Sequence, residues 1–216
     1  MYLFRIIIPA AILLSLTLFF EYRKSVSKVV VFKTATSLLF ILAAVLQPGS
    51  DATYFALLFI GLIFCLFGDL FLAIPKVIMF RIGLVSFLVG HIFYIFAFIS
   101  IARPGLYTLP AAAAILAAST LVYRWLLPHL GKMRIPVMCY VIVISIMLCL
   151  ACAVFTTGSV KAEGRMLILS GAILFYLSDL FVARDRFIKD QMGNRFIGLP
   201  LYYAGQFILA FSTGLV

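Results

Sequence analysis

Eight stretches of this chain, at about 3 to 20, 28 to 47, 53 to 73, 81 to 101, 106 to 127, 135 to 156, 164 to 183 and 195 to 215, are nearly free of charge and roughly 18 to 22 residues long. At about 1.5 Å rise per residue, a helix of that length crosses a hydrocarbon core of about 30 Å. The rest of the composition agrees: of 216 residues, 66% are hydrophobic and 11% charged, and the mean hydropathy is +1.24, far outside the range of soluble domains. The expected fold is therefore an all-α integral membrane protein with eight transmembrane helices in a single transmembrane domain. The connections are short, so chemistry is expected inside the bundle or at its mouth.

The first stretch runs into Glu21, Tyr22, Arg23 and Lys24 without a small-residue cleavage site, which predicts a retained first helix and not a signal peptide. Alternating the eight spans puts Arg5, Arg103, Lys161 and Arg165 on the face that holds both termini, and the other thirteen of the seventeen Lys and Arg on or near the opposite face. The positive-inside rule makes that basic face cytoplasmic and both termini external. The net charge of +10 is then a topology signal with some attraction to the anionic headgroups of the lipid bilayer. The basic residues sit in short separate loops, not in a continuous patch, so nucleic-acid binding is excluded as a reading. Cys65, Cys139, Cys149 and Cys152 all fall within spans. The CLAC stretch at 149–152 has no second pair and is expected to pack, not to bind metal or cycle redox states.

Two hexapeptides match at a distance: GDLFLA at 68–73 and SDLFVA at 178–183. The repeat extends backward to Gly61 and Gly171, each eight residues before its Asp. Positions seven apart share a helix face to within about 20°, so Gly61 with Gly68, and Gly171 with Ser178, form small-residue stripes along which another helix can approach closely. The following spans correspond too, with Gly90 and His91 in one and Gly205 and Gln206 in the other. Four spans separate the copies, an even number, which predicts two parallel four-helix repeats, about 1–105 and 106–216, related by an axis near the membrane normal. Lys33 and Val143 match poorly, so the first two helices of each half do not align by sequence.

Seven carboxylates are present, and Glu21, Asp51, Glu163, Asp185 and Asp190 lie at span ends or in loops. Asp69 and Asp179 alone lie well inside spans. An ionised carboxylate there costs a few kcal/mol, so such residues usually face a cavity, pair with a cation or carry a proton. Counting from the nearest basic loop residues places Asp69, Asp179 and Lys33 roughly 7 to 11 Å inside the basic boundary, and His91 and Gln206 roughly 15 Å inside. The expected site is a polar pocket opening toward that face, with Phe87, Tyr94, Tyr176, Tyr202 and Tyr203 nearby. Lys33 is expected either to pair with one Asp in a purely structural contact or to bias two carboxylates that divide the labour of general acid and general base.

Other chemistries fit less well. No G-x-S-x-G elbow or H-E-x-x-H motif occurs, and only His91 of the two histidines lies within a span, His129 standing beside Pro128 in a basic loop. A zinc site from Asp69, His91 and Asp179 is conceivable, but no metal and no cofactor are expected.

Lys33 near the start of the second span, Gly68-Asp69 with Leu72, Gly83, Phe87, Gly90-His91 and Tyr94, Ser178-Asp179 with Arg186-Phe187, and Tyr202-Tyr203 with Gln206 together resemble the YhhN family of eight-helix membrane proteins, which includes the animal lysoplasmalogenases. The resemblance runs from Lys33 to Gln206. It implies hydrolysis of the vinyl ether bond of lysoplasmalogens, with a single-chain ether phospholipid as substrate, a fatty aldehyde and glycerophospho-ethanolamine or -choline as products, and a bacterial inner membrane as the location.

That reaction needs a proton on the alkenyl β-carbon and water on the α-carbon, which suits one carboxylic acid and one carboxylate. Asp69 and Asp179 are the expected catalytic pair, their individual roles open. His91, with Tyr94 close by, would orient water or tune one Asp; Lys33 would hold the lipid phosphate or bias the nearer Asp; Gln206 with Tyr202 would hydrogen-bond the glycerol. Ser178 and Tyr203 complete the expected supporting set. Two rival readings remain at this point: a small proton-coupled or lipid transporter using the Asp pair, and a non-catalytic lipid-binding or assembly protein. Nothing in the sequence assigns an oligomeric state.

Overall fold

The computed structural model of the chain describes residues 2–47, 49, 51–103, 105 and 108–216. Eight long helices follow one another: α1 (Tyr2–Tyr22), α2 (Val26–Val45), α3 (Ala52–Leu72), α4 (Val77–Ile101), α5 (Thr108–Leu126), α6 (Arg134–Phe155), α7 (Ala162–Phe187) and α8 (Met192–Ser212). All eight are long and apolar enough to cross a bilayer. The protein is an integral membrane protein, and no strand occurs among the described residues.

Helix ends follow local chemistry. The Asp51 carboxylate accepts from the Tyr54 amide at 2.8 Å and so caps α3, satisfying a donor that helix geometry leaves orphaned. Between α5 and α6, two single 3-10 turns, Leu127–His129 and Gly131–Met133, form the connection, and His129 is exposed there. The main departure from expectation is α7, which continues past 183 to Phe187. Apolar run length ends the sequence reading before the charge cluster at 184–186, whereas the helix continues and Asp185 and Arg186 both find partners.

Packing follows the small residues. α3 lies mainly against α4, and α7 against α8. A Cβ added at Gly61 would stand 3.0 Å from the Gly90 carbonyl oxygen, and one at Gly90 would stand 3.0 Å from that of Gly61. The second hairpin repeats this crossing: Gly171 against the Gly205 carbonyl at 3.1 Å and Gly205 against the Gly171 carbonyl at 2.9 Å. In both places only glycine permits the two backbones to meet. Further along, Gly83 approaches the Gly68 carbonyl and Gly198 approaches that of Ser178, so the matched hexapeptides occupy matched seams.

The remaining contacts also come in corresponding pairs. α1 lies on α2 as α5 lies on α6, α2 meets α3 as α6 meets α7, and α2 reaches α8 as α6 reaches α4. The core they enclose is rich in rings, with Phe87, Phe175 and Tyr202 edge-on to one another at centroid distances of 5.3 to 6.2 Å. Outward faces carry Leu38, Ile99, Leu116 and Ile142, as surfaces bathed in lipid require. Cys65 is buried, Cys149 and Cys152 are half-buried, and all four cysteines are free.

Candidate active site

One cavity of about 570 Å³ opens among the helices. Its lining comes from the half of each helix nearest the α1–α2, α3–α4 and α7–α8 connections, which is the basic face. Lys33, Asp69, Phe87, Tyr140, Tyr176, Ser178, Asp179 and Tyr202 line its inner part. Val122, Leu126, Val137, Val141 and Ile144 of α5 and α6 make an apolar side wall, while Glu21, Lys24, Lys76, Asp190 and Arg195 stand at the mouth. An amphiphile with one polar end fits such a division.

Asp69 is buried, at 1% exposure, and each of its oxygens has donors. The Lys33 ammonium lies 3.3 Å from Oδ1. Ser37 Oγ donates to Oδ2 at 2.7 Å and the Tyr202 hydroxyl donates to the same oxygen at 2.6 Å. Lys33 and Ser37 lie one helical turn apart on α2, so one face of that helix presents both to α3. The Tyr203 hydroxyl closes the other side by donating to the Lys33 carbonyl at 3.0 Å, with Ser37 Oγ 3.2 Å away. The polar groups around Asp69 are thus placed as donors to its two oxygens.

Asp179 has different surroundings. It is only partly buried, no cation pairs with it among the described residues, and its hydrogen bond is from the Tyr140 hydroxyl to Oδ2 at 2.8 Å. Both Asp179 and Tyr140 face the cavity. The two halves thus supply one enclosed carboxylate with a cation and one open carboxylate with a phenol. Tyr140 on α6 meets Asp179 as Lys33 on α2 meets Asp69, and Tyr140 stands three residues before Val143, the position that the sequence offset pairs with Lys33.

The expected supporting residues separate into two groups. Lys33, Ser178 and Tyr202 line the cavity, Ser178 with its hydroxyl donating to the Phe175 carbonyl at 2.7 Å. His91, Tyr94, Tyr203 and Gln206 stand behind the wall, fully or almost fully buried and outside the lining. Depth along a helix places a residue by height, and the ring cluster of Phe87, Phe175 and Tyr202 lies between these four and the cavity.

His91 Nδ1 donates to the Phe87 carbonyl at 2.6 Å, and its ring lies edge-on to Phe175 and Tyr140. Its Nε2 is buried without a hydrogen-bond partner. Asp69, His91 and Asp179 do not converge, and no group of three His, Cys, Asp or Glu able to hold a metal ion occurs among the described residues.

Two features were not anticipated from sequence. Ser37 and Tyr140 reach the carboxylates, and neither belongs to the matched hexapeptides. At the mouth, Arg195 binds Glu21 at 2.8 Å, Asp185 at 3.1 Å and Asp190 at 3.0 Å, tying α1, α7 and α8 together. The separation of the paired glycines gives a clue to this second feature. Gly61 and Gly90 are 29 residues apart and Gly171 and Gly205 are 34 apart, and the longer second hairpin is the one that carries Asp185.

A sequence profile of the YhhN family matches residues 29–213. The chain belongs to the YhhN family. Similar proteins include the lysoplasmalogenase of Mycobacterium bovis, 31% identical over 180 residues covering 80% of this chain and 64% of that protein. Lysoplasmalogenase TMEM86A of Bos taurus is 32% identical over 160 residues, 72% of this chain and 64% of the relative. Lysoplasmalogenase TMEM86B of Mus musculus is 32% identical over 168 residues, 77% of this chain and 66% of the relative. The chain thus spans slightly less than two thirds of the length of each of these curated relatives. No solved structure matches it. The region matched by the YhhN profile contains both carboxylates, the cavity's inner lining and the four residues behind its wall.

Proposed function

We propose that this YhhN-family chain is a membrane-embedded hydrolase that cleaves the vinyl ether bond of a lysoplasmalogen, with Asp69 and Asp179 as the acid–base pair. The observation that carries the reading is that both intramembrane carboxylates line one amphipathic cavity, in a family whose curated relatives are named lysoplasmalogenase.

The unlike surroundings of the pair suggest the division of roles. Asp179, open to the cavity and without a cation, carries the proton. It delivers that proton to the alkenyl β-carbon, leaving an oxocarbenium ion at the α-carbon. Asp69, held as carboxylate by Lys33, Ser37 and Tyr202, takes a proton from water as the water oxygen bonds to the α-carbon. The resulting hemiacetal collapses when Asp69 returns that proton to the glycerol oxygen and Asp179 recovers one from the hemiacetal hydroxyl. Water and enol ether are consumed, aldehyde and alcohol are formed, and both carboxyl groups regain their starting states.

The lipid enters with its polar end at the basic face, which the positive-inside rule makes cytoplasmic, and its alkenyl chain runs along the α5–α6 wall. The test is aldehyde release from a lysoplasmalogen by purified protein in detergent. Release by the wild type, lost in Asp69→Asn and in Asp179→Asn variants shown to be folded, supports the reading. Absence of release from the wild type overturns the substrate. Full activity in either variant overturns the acid–base pair.

A further inference from the structure

Asp69 stands at the end of a line of hydrogen bonds whose far members never reach the cavity. The Tyr94 hydroxyl donates to Gln206 Oε1 at 2.8 Å. That bond fixes which way the amide faces, so Gln206 Nε2 donates to the Tyr202 hydroxyl oxygen at 3.3 Å. A phenol has a single proton, and with its oxygen accepting from Gln206 that proton is directed to Asp69 Oδ2, 2.6 Å away. Three helices take part: Tyr94 on α4, Gln206 and Tyr202 on α8, Asp69 on α3. Tyr94 and Gln206 are fully buried, and among the described residues the line continues to Cys65 Sγ, 3.6 Å from the Tyr94 hydroxyl.

We propose that Tyr94 and Gln206 are positioning residues that act on Asp69 through Tyr202, fixing the direction of the phenol proton so that the carboxylate meets donors only. This rests on the hydrolase reading for its catalytic consequence, but not for the hydrogen-bond coupling itself. The physical reason is preorganisation: a dipole already aimed at a charge need not reorient when that charge changes during reaction. If the Tyr94 hydroxyl is lost, the Gln206 amide is free to turn, and the Tyr202 proton gains a competing acceptor in Oε1. Asp69 then loses a donor although every residue touching it is unchanged. Neither Tyr94 nor Gln206 lines the cavity, so lipid binding is not directly affected.

The test is the Asp69 carboxylate stretch, taken as the infrared difference between protein with Asp69 and the Asp69→Asn variant, recorded with Tyr94 present and in a Tyr94→Phe background. The expected result is a band that moves when the Tyr94 hydroxyl is removed; a band that stays put overturns the proposal, whatever the substrate proves to be. Gln206→Met, similar in size and without donors, replaces Tyr94→Phe if the latter does not fold. Alongside this, aldehyde release is measured for Tyr94→Phe, Tyr202→Phe and the double variant. Tyr94→Phe is expected to lower kcat about tenfold with KM changed less than about twofold, and to have no further effect once Tyr202 is Phe. Losses that simply add between the two sites overturn the proposal. A band that moves in a protein releasing no aldehyde upholds the coupling and rejects the hydrolase reading instead.

Discussion

Asp69 meets three donors and Asp179 meets one, although both belong to the same hexapeptide pattern. Replacing either by Asn keeps size and removes the proton chemistry, so we expect aldehyde release to fall by about 10²-fold or more in each variant, the usual worth of a general acid or base. Tyr140→Phe removes the donor to Asp179 and is expected to cost about fivefold in kcat, measured in the same assay, because a neutral donor contributes about 1 kcal/mol. Lys33→Met leaves the buried Asp69 without its cation. It should destabilise the protein by about 3–5 kcal/mol in denaturant or thermal unfolding, and adding Asp69→Asn to it should recover part of the loss, because the penalty lies in the unpaired charge. A double variant no more stable than Lys33→Met would count against the ion pair as the cause.

The helices are placed by their glycines. At the α3–α4 and α7–α8 crossings each backbone stands about 3 Å from where the partner's Cβ would be, so Gly90→Val and Gly205→Val must separate the helices or strain them. Each is expected to destabilise by about 1–3 kcal/mol, in the range of overpacking, read as a lower melting temperature in detergent. Gly158, which has open space around the position of a Cβ, is the control, and Gly158→Ala should leave the melting temperature unchanged. The same crossings set the register that brings Asp69 toward α2 and Asp179 toward α6, so the glycine variants should also lose activity. The helical stripes were legible from spacing alone. The partner of each stripe was not, because spacing along one helix defines a face without naming what covers it.

Across the whole molecule, the cavity opens at the face where the basic connections lie. Reporters fused after Val216 should therefore be active outside the cytoplasm, while one placed in the loop at 131–133 should be active within it; the reverse pattern would move substrate entry to the other leaflet. The α2–α8 contact answers the α6–α4 contact, and each half brings one carboxylate to the shared cavity. Lys33 and Ser37 on one side and Tyr140 on the other give the two carboxylates unlike surroundings.

Eight helices, the membrane and the two carboxylates were determined by the sequence itself, because hydrocarbon admits only segments that satisfy their own backbone and makes any internal charge conspicuous. Helix periodicity likewise announced the small-residue stripes around Asp69 and Asp179. Tertiary structure alone decided the neighbours: that Lys33 meets Asp69 and not Asp179, that Ser37 and Tyr140 complete the pair, and that Tyr94 and Gln206 stand behind the cavity instead of in it. Those outcomes depend on rotation of each helix about its axis and on which rings fill the space between, quantities set by packing across helices distant in the chain. The Arg195 cluster was hidden for the same reason: Glu21 and Arg195 are 174 residues apart, and only the closure of α1 against α8 makes them neighbours.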